Sequence, residues 1–167
     1  MIDPQGLFST ARLLLGSENK GAPNQARLRR AVSTAYYGLF HVALKTASDV
    51  LVGVKHRQTP RYETIYRSFD HQKMRKGCEA VDKSTLDAKA QKAMGAQFVS
   101  PEIRDFASAF TALQERRHWA DYSTSGKITR GEAQDLIDQA ELGAAQLKAA
   151  STEERKNFLA FLMANAR

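Results

Sequence analysis

Between Asn24 and Val50 apolar side chains return at helical spacing through Leu28, Val32, Ala35, Tyr36, Leu39, Ala43 and Val50, a stripe of about six turns. A stripe that long needs a partner surface along its whole length. Asn24 marks its start, because an asparagine side chain accepts hydrogen bonds from first-turn amides.

The other periodic segments are helical too. Asp3-Pro4 is a cap followed by proline at the first helical position, with Leu7, Ala11, Leu14 and Leu15 on one face and an end near Gly16. Residues 16–25, with Gly16, Gly21 and Pro23, read as a loop. After a basic connector over residues 53–58, Thr59-Pro60 opens a helix with Tyr62, Ile65, Tyr66 and Phe69 inward, ending by Gly77. Residues 77–99 are less decided: residues 84–87 resemble the capped start of a short helix that Gly95 breaks. Ser100-Pro101 opens the next, with Ile103, Phe106, Phe110 and Leu113 running toward Trp119. Thr129 with Glu132, and Ser151 with Glu154, have the form of capping boxes. The helices they open carry Ala133, Leu136, Ile137, Ala140, Ala144 and Leu147, then Phe158, Leu159 and Leu162.

Strand alternation is nearly absent, and neither Asn-Gly nor Asp-Gly occurs. Amphipathic helices on short loops bury their stripes against one another. The expected fold is all-α: an up-and-down helical bundle of four to five main helices plus short helices, as one domain over residues 1–167.

Several function classes drop out. The longest apolar runs, such as residues 13–15, are far below bilayer length, so no membrane partner is expected. An acidic residue and a proline within Met1-Ile2-Asp3-Pro4 argue against a secretory signal and for a cytoplasmic protein. Cys78, the sole cysteine, excludes an intrachain disulfide and a thiolate zinc site, and reads as an idle buried thiol. His41, His56, His71 and His118 never pair at metal-ligand spacing, and no glycine-rich phosphate loop or nucleophile elbow occurs, so neither metal nor cofactor is expected. The net charge of +7 is regional: residues 20–76 hold 12 Lys/Arg against 3 Asp/Glu. Such a segment suits a polyanion, although a merely solvated basic face has the same composition.

Polar residues intrude on two helices. Continuing the stripe from Leu113 by helical steps reaches Arg117, with Asp121 one turn on. A buried guanidinium needs a counter-charge, so either an internal pair with Asp121 fixes the helix end or the pair lines a cleft open to phosphate. On the Asn24 helix, Arg30, Ser33, Tyr37 and His41 share a face and offer a cation, a hydroxyl, a phenol and an imidazole. Taken alone, His41 reads as a hydrogen-bonded structural histidine, and Tyr36 and Tyr37 as core aromatics.

The run Arg30-Ala31-Val32-Ser33-Thr34-Ala35-Tyr36-Tyr37-Gly38-Leu39-Phe40-His41 resembles the R-A-x-S-x-A-Y-Y-x-x-F-H helix of small prokaryotic HEPN proteins. Arg117-His118-Trp119-Ala120-Asp121-Tyr122 is similar to the R-x-x-A-D-Y signature of one HEPN subgroup. The resemblance implies a helical homodimer whose arginine motif faces a cleft at the dimer interface. RNA or a nucleotide would bind there through Arg30, Ser33, Tyr37, Arg116, His118 and Tyr122. Many members are metal-independent endoribonucleases, toxins or defence proteins with an R-x4-6-H motif. Here no histidine follows Arg116 or Arg117 at that spacing, and Asp121 is a feeble proton donor at neutral pH. Catalysis would fall to Arg117, Asp121 and His41, the last reaching over from the other helix. The competing expectation is a noncatalytic bundle serving as partner to a nucleotidyltransferase or another toxin-antitoxin component.

Overall fold

The computed structural model describes residues 2–16 and 24–164. Among them are eight α-helices and no β-strand. In chain order these are α1 (Pro4–Leu15), α2 (Gln25–Leu51), α3 (Pro60–Arg67), α4 (His71–Val81), α5 (Ala88–Met94), α6 (Pro101–Tyr122), α7 (Arg130–Ala149) and α8 (Thr152–Ala164). Of the loop expected over residues 16–25, residues 17–23 lie outside the described residues.

The expected caps start their helices: Asp3, Asn24, Thr59, Ser100 and Thr129 each accept a first-turn amide. The Thr129–Glu132 box is reciprocal. At the last helix Ser151 accepts the Glu154 amide, but the Glu154 carboxylate turns instead to the Ser100 amide, at 2.6 Å, and ties α8 to the start of α6.

The arrangement centres on α2, which packs against α1, α6 and α7, with α3 and α8 closing its remaining sides. Residues 31–36 of α2 are all buried, so its middle has no solvent face. The amphipathic stripe thus understates its burial: Ala31, Ser33, Thr34, Gly38, Phe40 and Val42 are enclosed as well, while Val50 is half-buried. The interior hydroxyls are satisfied within the bundle, Thr34 Oγ1 donating to the Arg30 carbonyl at 2.7 Å and Ser33 Oγ to Asp121. Aromatic rings fill the space between α2, α6 and α8: Tyr36, Phe106, Phe110 and Phe158 are fully buried, with Phe106 edge-on to Phe158 at 5.8 Å.

Two local expectations change, and one is borne out. In α1 the buried positions are Pro4, Phe8, Ala11 and Leu15, with Leu7 and Leu14 half-buried, and Phe8 sits against the bare backbone at Gly38. The helix expected from Thr59 to Gly77 is two helices: α3 ends at Arg67, and Asp70 caps α4 by accepting the Gln72 and Lys73 amides. Gly77 lies inside α4, buried on the side that meets α6 and α8. The short helix of the undecided stretch is α5, capped by Asp87 and stopped by Gly95 in the left-handed region.

The basic connector contains a single 3-10 turn, Val54–His56, and is anchored by one carboxylate. Asp49 Oδ1 accepts Arg57 Nε at 2.8 Å and the Tyr62 hydroxyl at 2.9 Å, while Oδ2 accepts Arg57 Nη2 at 2.7 Å and Lys45 Nζ at 2.9 Å. The α6–α7 loop is held by Arg29, which donates to the Ser123 and Gly126 carbonyls, and by the Gln25 amide, which pairs with both backbone groups of Ile128.

Candidate functional site

The inward face of α6 runs Ile103, Phe106, Phe110 and Leu113, and then turns polar at Gln114 and Arg117. The Arg117 side chain is 20% exposed and the Asp121 side chain 28%. Arg117 Nη2 donates to the Tyr37 hydroxyl at 2.8 Å, and Ser33 donates to Asp121. Residues from α2 and α6 thus form one cross-helix cluster: Ser33, Tyr37, Arg117 and Asp121. Arg117 Nε lies 2.9 Å from Asp121 Oδ2 but its N–H is not aligned on that oxygen, so the contact is an ion pair and not a hydrogen bond. The guanidinium carbon stands 5.5 Å from the Tyr37 ring, 5.9 Å from Tyr36 and 6.0 Å from Tyr122.

The internal pair of Arg117 with Asp121 is present. Besides meeting Asp121, Arg117 lines an open cleft of about 600 Å³ between α4 and α6. His71, Gln72, Arg75 and Lys76 form the α4 wall, and Gln114, Arg117 and His118 the α6 wall. Two carboxylates border it, each engaged locally: Asp70 with the α4 amides and Glu79 with Arg75 at 2.7 Å.

His71, which sequence reasoning treated only as too remote for a metal site, is the histidine at this cleft. Its Nδ1 lies 2.6 Å from the hydroxyl of fully buried Tyr36, and its ring stacks on Phe40 at 3.9 Å. Its carbonyl accepts Gln114 Nε2 at 3.0 Å. His41 lies elsewhere: its Nδ1 meets the Tyr66 hydroxyl at 2.8 Å and its ring stacks on Tyr66, away from the cleft lining. The sequence signal for His71 was its place just after a capping aspartate, which puts the ring at a helix start, but nothing local pairs it with Tyr36.

Of the remaining candidates only His118 borders the cleft. Arg30 is exposed and has no ion pair among the described residues. Arg116 lies over Trp119 at 5.2 Å, on a ring that also carries Arg29 at 4.8 Å. His118 is exposed and its ring is 4.8 Å from that of Tyr122, itself 65% exposed. Much of the basic segment's charge is used internally, by Lys45 and Arg57 on Asp49, Arg67 on Glu63, and Arg75 on Glu79 and Glu115.

Among the described residues no group of His, Cys, Asp or Glu is assembled to hold a metal ion. Cys78 is buried, which pushes its thiol pKa well up and keeps it a thiol. None of the described helices is long and apolar enough to cross a membrane. No protein-family model matches the chain, and no curated protein or solved structure matches it either.

Both interior histidines titrate low. His41 is shifted down by burial and then by His71; His71 is shifted down by burial and then by Arg117, against an opposing pull from Asp70. The unfolded chain takes up protons near pH 6.5 while the folded chain does not, so stability is lost as pH falls below about 6.5. A lower urea midpoint at pH 5.5 than at pH 7.5 is expected, with a smaller difference in a His41→Gln/His71→Gln double variant. Equal wild-type midpoints at the two pH values would refute this account.

Proposed function

We propose that the protein is a HEPN-type bundle that binds RNA or a nucleotide, as a homodimer in a toxin or defence setting, with Arg117 as the central phosphate contact. The observation that carries the reading is Arg117 itself. It is mostly enclosed, held by Tyr37 and Asp121, and still borders an open polar cleft. A guanidinium held at a cleft wall is pre-organised for a phosphate, since little further side-chain entropy is lost on binding. Exposed Lys76, Arg30 and half-buried Arg116 extend the positive charge around it.

Binding without cleavage is the favoured form. Asp121 stands where a proton donor would be needed, and it is engaged with Ser33 and Arg117. His41 is turned to Tyr66.

The test is a mobility-shift series with a mixed single-stranded RNA pool and no added metal. If Arg30, Lys76, Arg116 and Arg117 each neutralise a phosphate, affinity falls roughly fiftyfold between 50 and 200 mM salt. Arg117→Gln, which removes the charge from a half-buried side chain, is expected to weaken binding with the circular dichroism unchanged. Absence of wild-type binding at the lowest salt would remove the reading.

A further inference from the structure

We propose that His71 is a fixed hydrogen-bond donor to a phosphate oxygen in the cleft between α4 and α6, and that buried Tyr36 positions it for that role. The inference rests on the RNA or nucleotide reading above and names the residue, outside both sequence signatures' polar cluster, that would hold the ligand's phosphate beside Arg117.

Tyr36 is 0% exposed, and burial pushes its pKa up, so the phenol keeps its proton. A buried hydroxyl proton needs an acceptor, and among the described residues the hydroxyl's hydrogen-bonding neighbour is His71 Nδ1 at 2.6 Å. Tyr36 therefore donates and Nδ1 accepts, which places the proton of the neutral imidazole on Nε2. Burial and the nearby Arg117 charge both favour the neutral ring. Phe40 stacked on that ring and the Gln114 bond to the His71 carbonyl hold it in place from two sides.

His71 Nε2 has no hydrogen-bond partner among the described residues, on a residue that lines the cleft. Its tautomer makes it a donor that cannot accept, which suits an anionic oxygen and does not suit a general base. Across the same cleft from His71 stands Arg117 on α6, its guanidinium held by Tyr37 and Asp121. Lys76 on the opposite wall has no ion pair among the described residues and supplies a free positive charge. The adjacent carboxylates, Asp70 and Glu79, are each already engaged.

The experiment combines ¹⁵N-imidazole spectra with oligouridylate binding on the full chain. At pH 7.5 wild-type His71 is expected to show bare Nδ1 and protonated Nε2, with the Nε2 resonance moving when inorganic phosphate or oligouridylate is added. His71→Leu, which retains an apolar contact for Phe40, is expected to weaken oligouridylate binding roughly ten- to hundredfold, the range of a hydrogen bond to a charged group. His71→Gln, which keeps an N–H donor, is expected to recover part of that loss. Tyr36→Phe is expected to weaken binding and mix the two tautomers, an effect that a packing role alone would not produce. Wild-type binding of oligouridylate with an unmoved Nε2 resonance and an unaffected His71→Leu variant would overturn this inference and leave the RNA reading standing. A phosphate-induced Nε2 shift without any oligouridylate binding would support the phosphate contact and overturn the RNA reading. No response to either probe would overturn both.

Discussion

Gly38→Val is expected to destabilise the native fold severely, and Gly38→Ala to lower the melting temperature, although alanine is the better helix former. In an exposed helix interior that glycine-to-alanine change would stabilise by about 1 kcal/mol. Here a Cβ at position 38 would lie 2.5 Å from Phe8 Cε1 and 2.7 Å from Cδ1. Phe8 is 3% exposed and wedged between α1 and α2, so its ring cannot swing into solvent without opening that interface. Overpacking of this kind costs about 1–3 kcal/mol for one methyl, which for a chain of this size lowers the melting temperature by roughly 3–10 °C. Valine adds two further methyl groups and β-branching, and is expected to cost more than ~3 kcal/mol, a large share of a total stability of about 5–15 kcal/mol. Thermal melts followed by circular dichroism measure both. Phe8→Leu in the Gly38→Ala background should recover part of the loss, giving non-additive costs. A higher melting temperature for Gly38→Ala would show that helix propensity prevails over the clash.

The second large effect is expected at Asp49. Its carboxylate is the common acceptor for Lys45, Arg57 and Tyr62, so Asp49→Ala strips partners from three side chains at once. The cost expected is about 2–3 kcal/mol, below that of a fully enclosed pair because solvent reaches Arg57. The damage should be local: amide exchange and tryptic cleavage should accelerate over residues 53–59, whose attachment runs through Arg57. Acid should reproduce part of the effect. Burial alone would raise the Asp49 pKa, but the hydrogen bonds from Arg57, Lys45 and Tyr62 outweigh it and hold the carboxyl at about 2. Its contribution is therefore complete above the unfolded value near 4 and fades as pH drops toward 2. Asp49→Asn should flatten the stability profile over that window, and an unchanged profile would mean that the three partners find water equally good.

The legible parts of this fold were those written in adjacent residues. Capping side chains at Asp3, Asn24, Thr59, Ser100 and Thr129 act on amides two or three residues away, so their helix starts could be read directly. The inward aim of Arg117 was equally local, since it follows from the helical phase of Ile103, Phe106, Phe110 and Leu113. The break between α3 and α4 was harder, because a helical apolar period can run across a short interruption such as residues 68–70 and hide the cap at Asp70.

The sequence by itself determined the class of the protein, an all-helical chain with a polar intrusion near the end of α6 and a tyrosine-bearing α2. Tertiary structure decided which side chains share that intrusion. It enclosed residues 31–36 of α2, set Phe8 on Gly38, turned His41 toward Tyr66, and brought His71 under Tyr36 at the Arg117 cleft. The physical reason is range: capping and helical phase act within a turn or two. The meeting of residue 36 with residue 71, or of residue 37 with residue 117, depends on how whole helices fill space against one another.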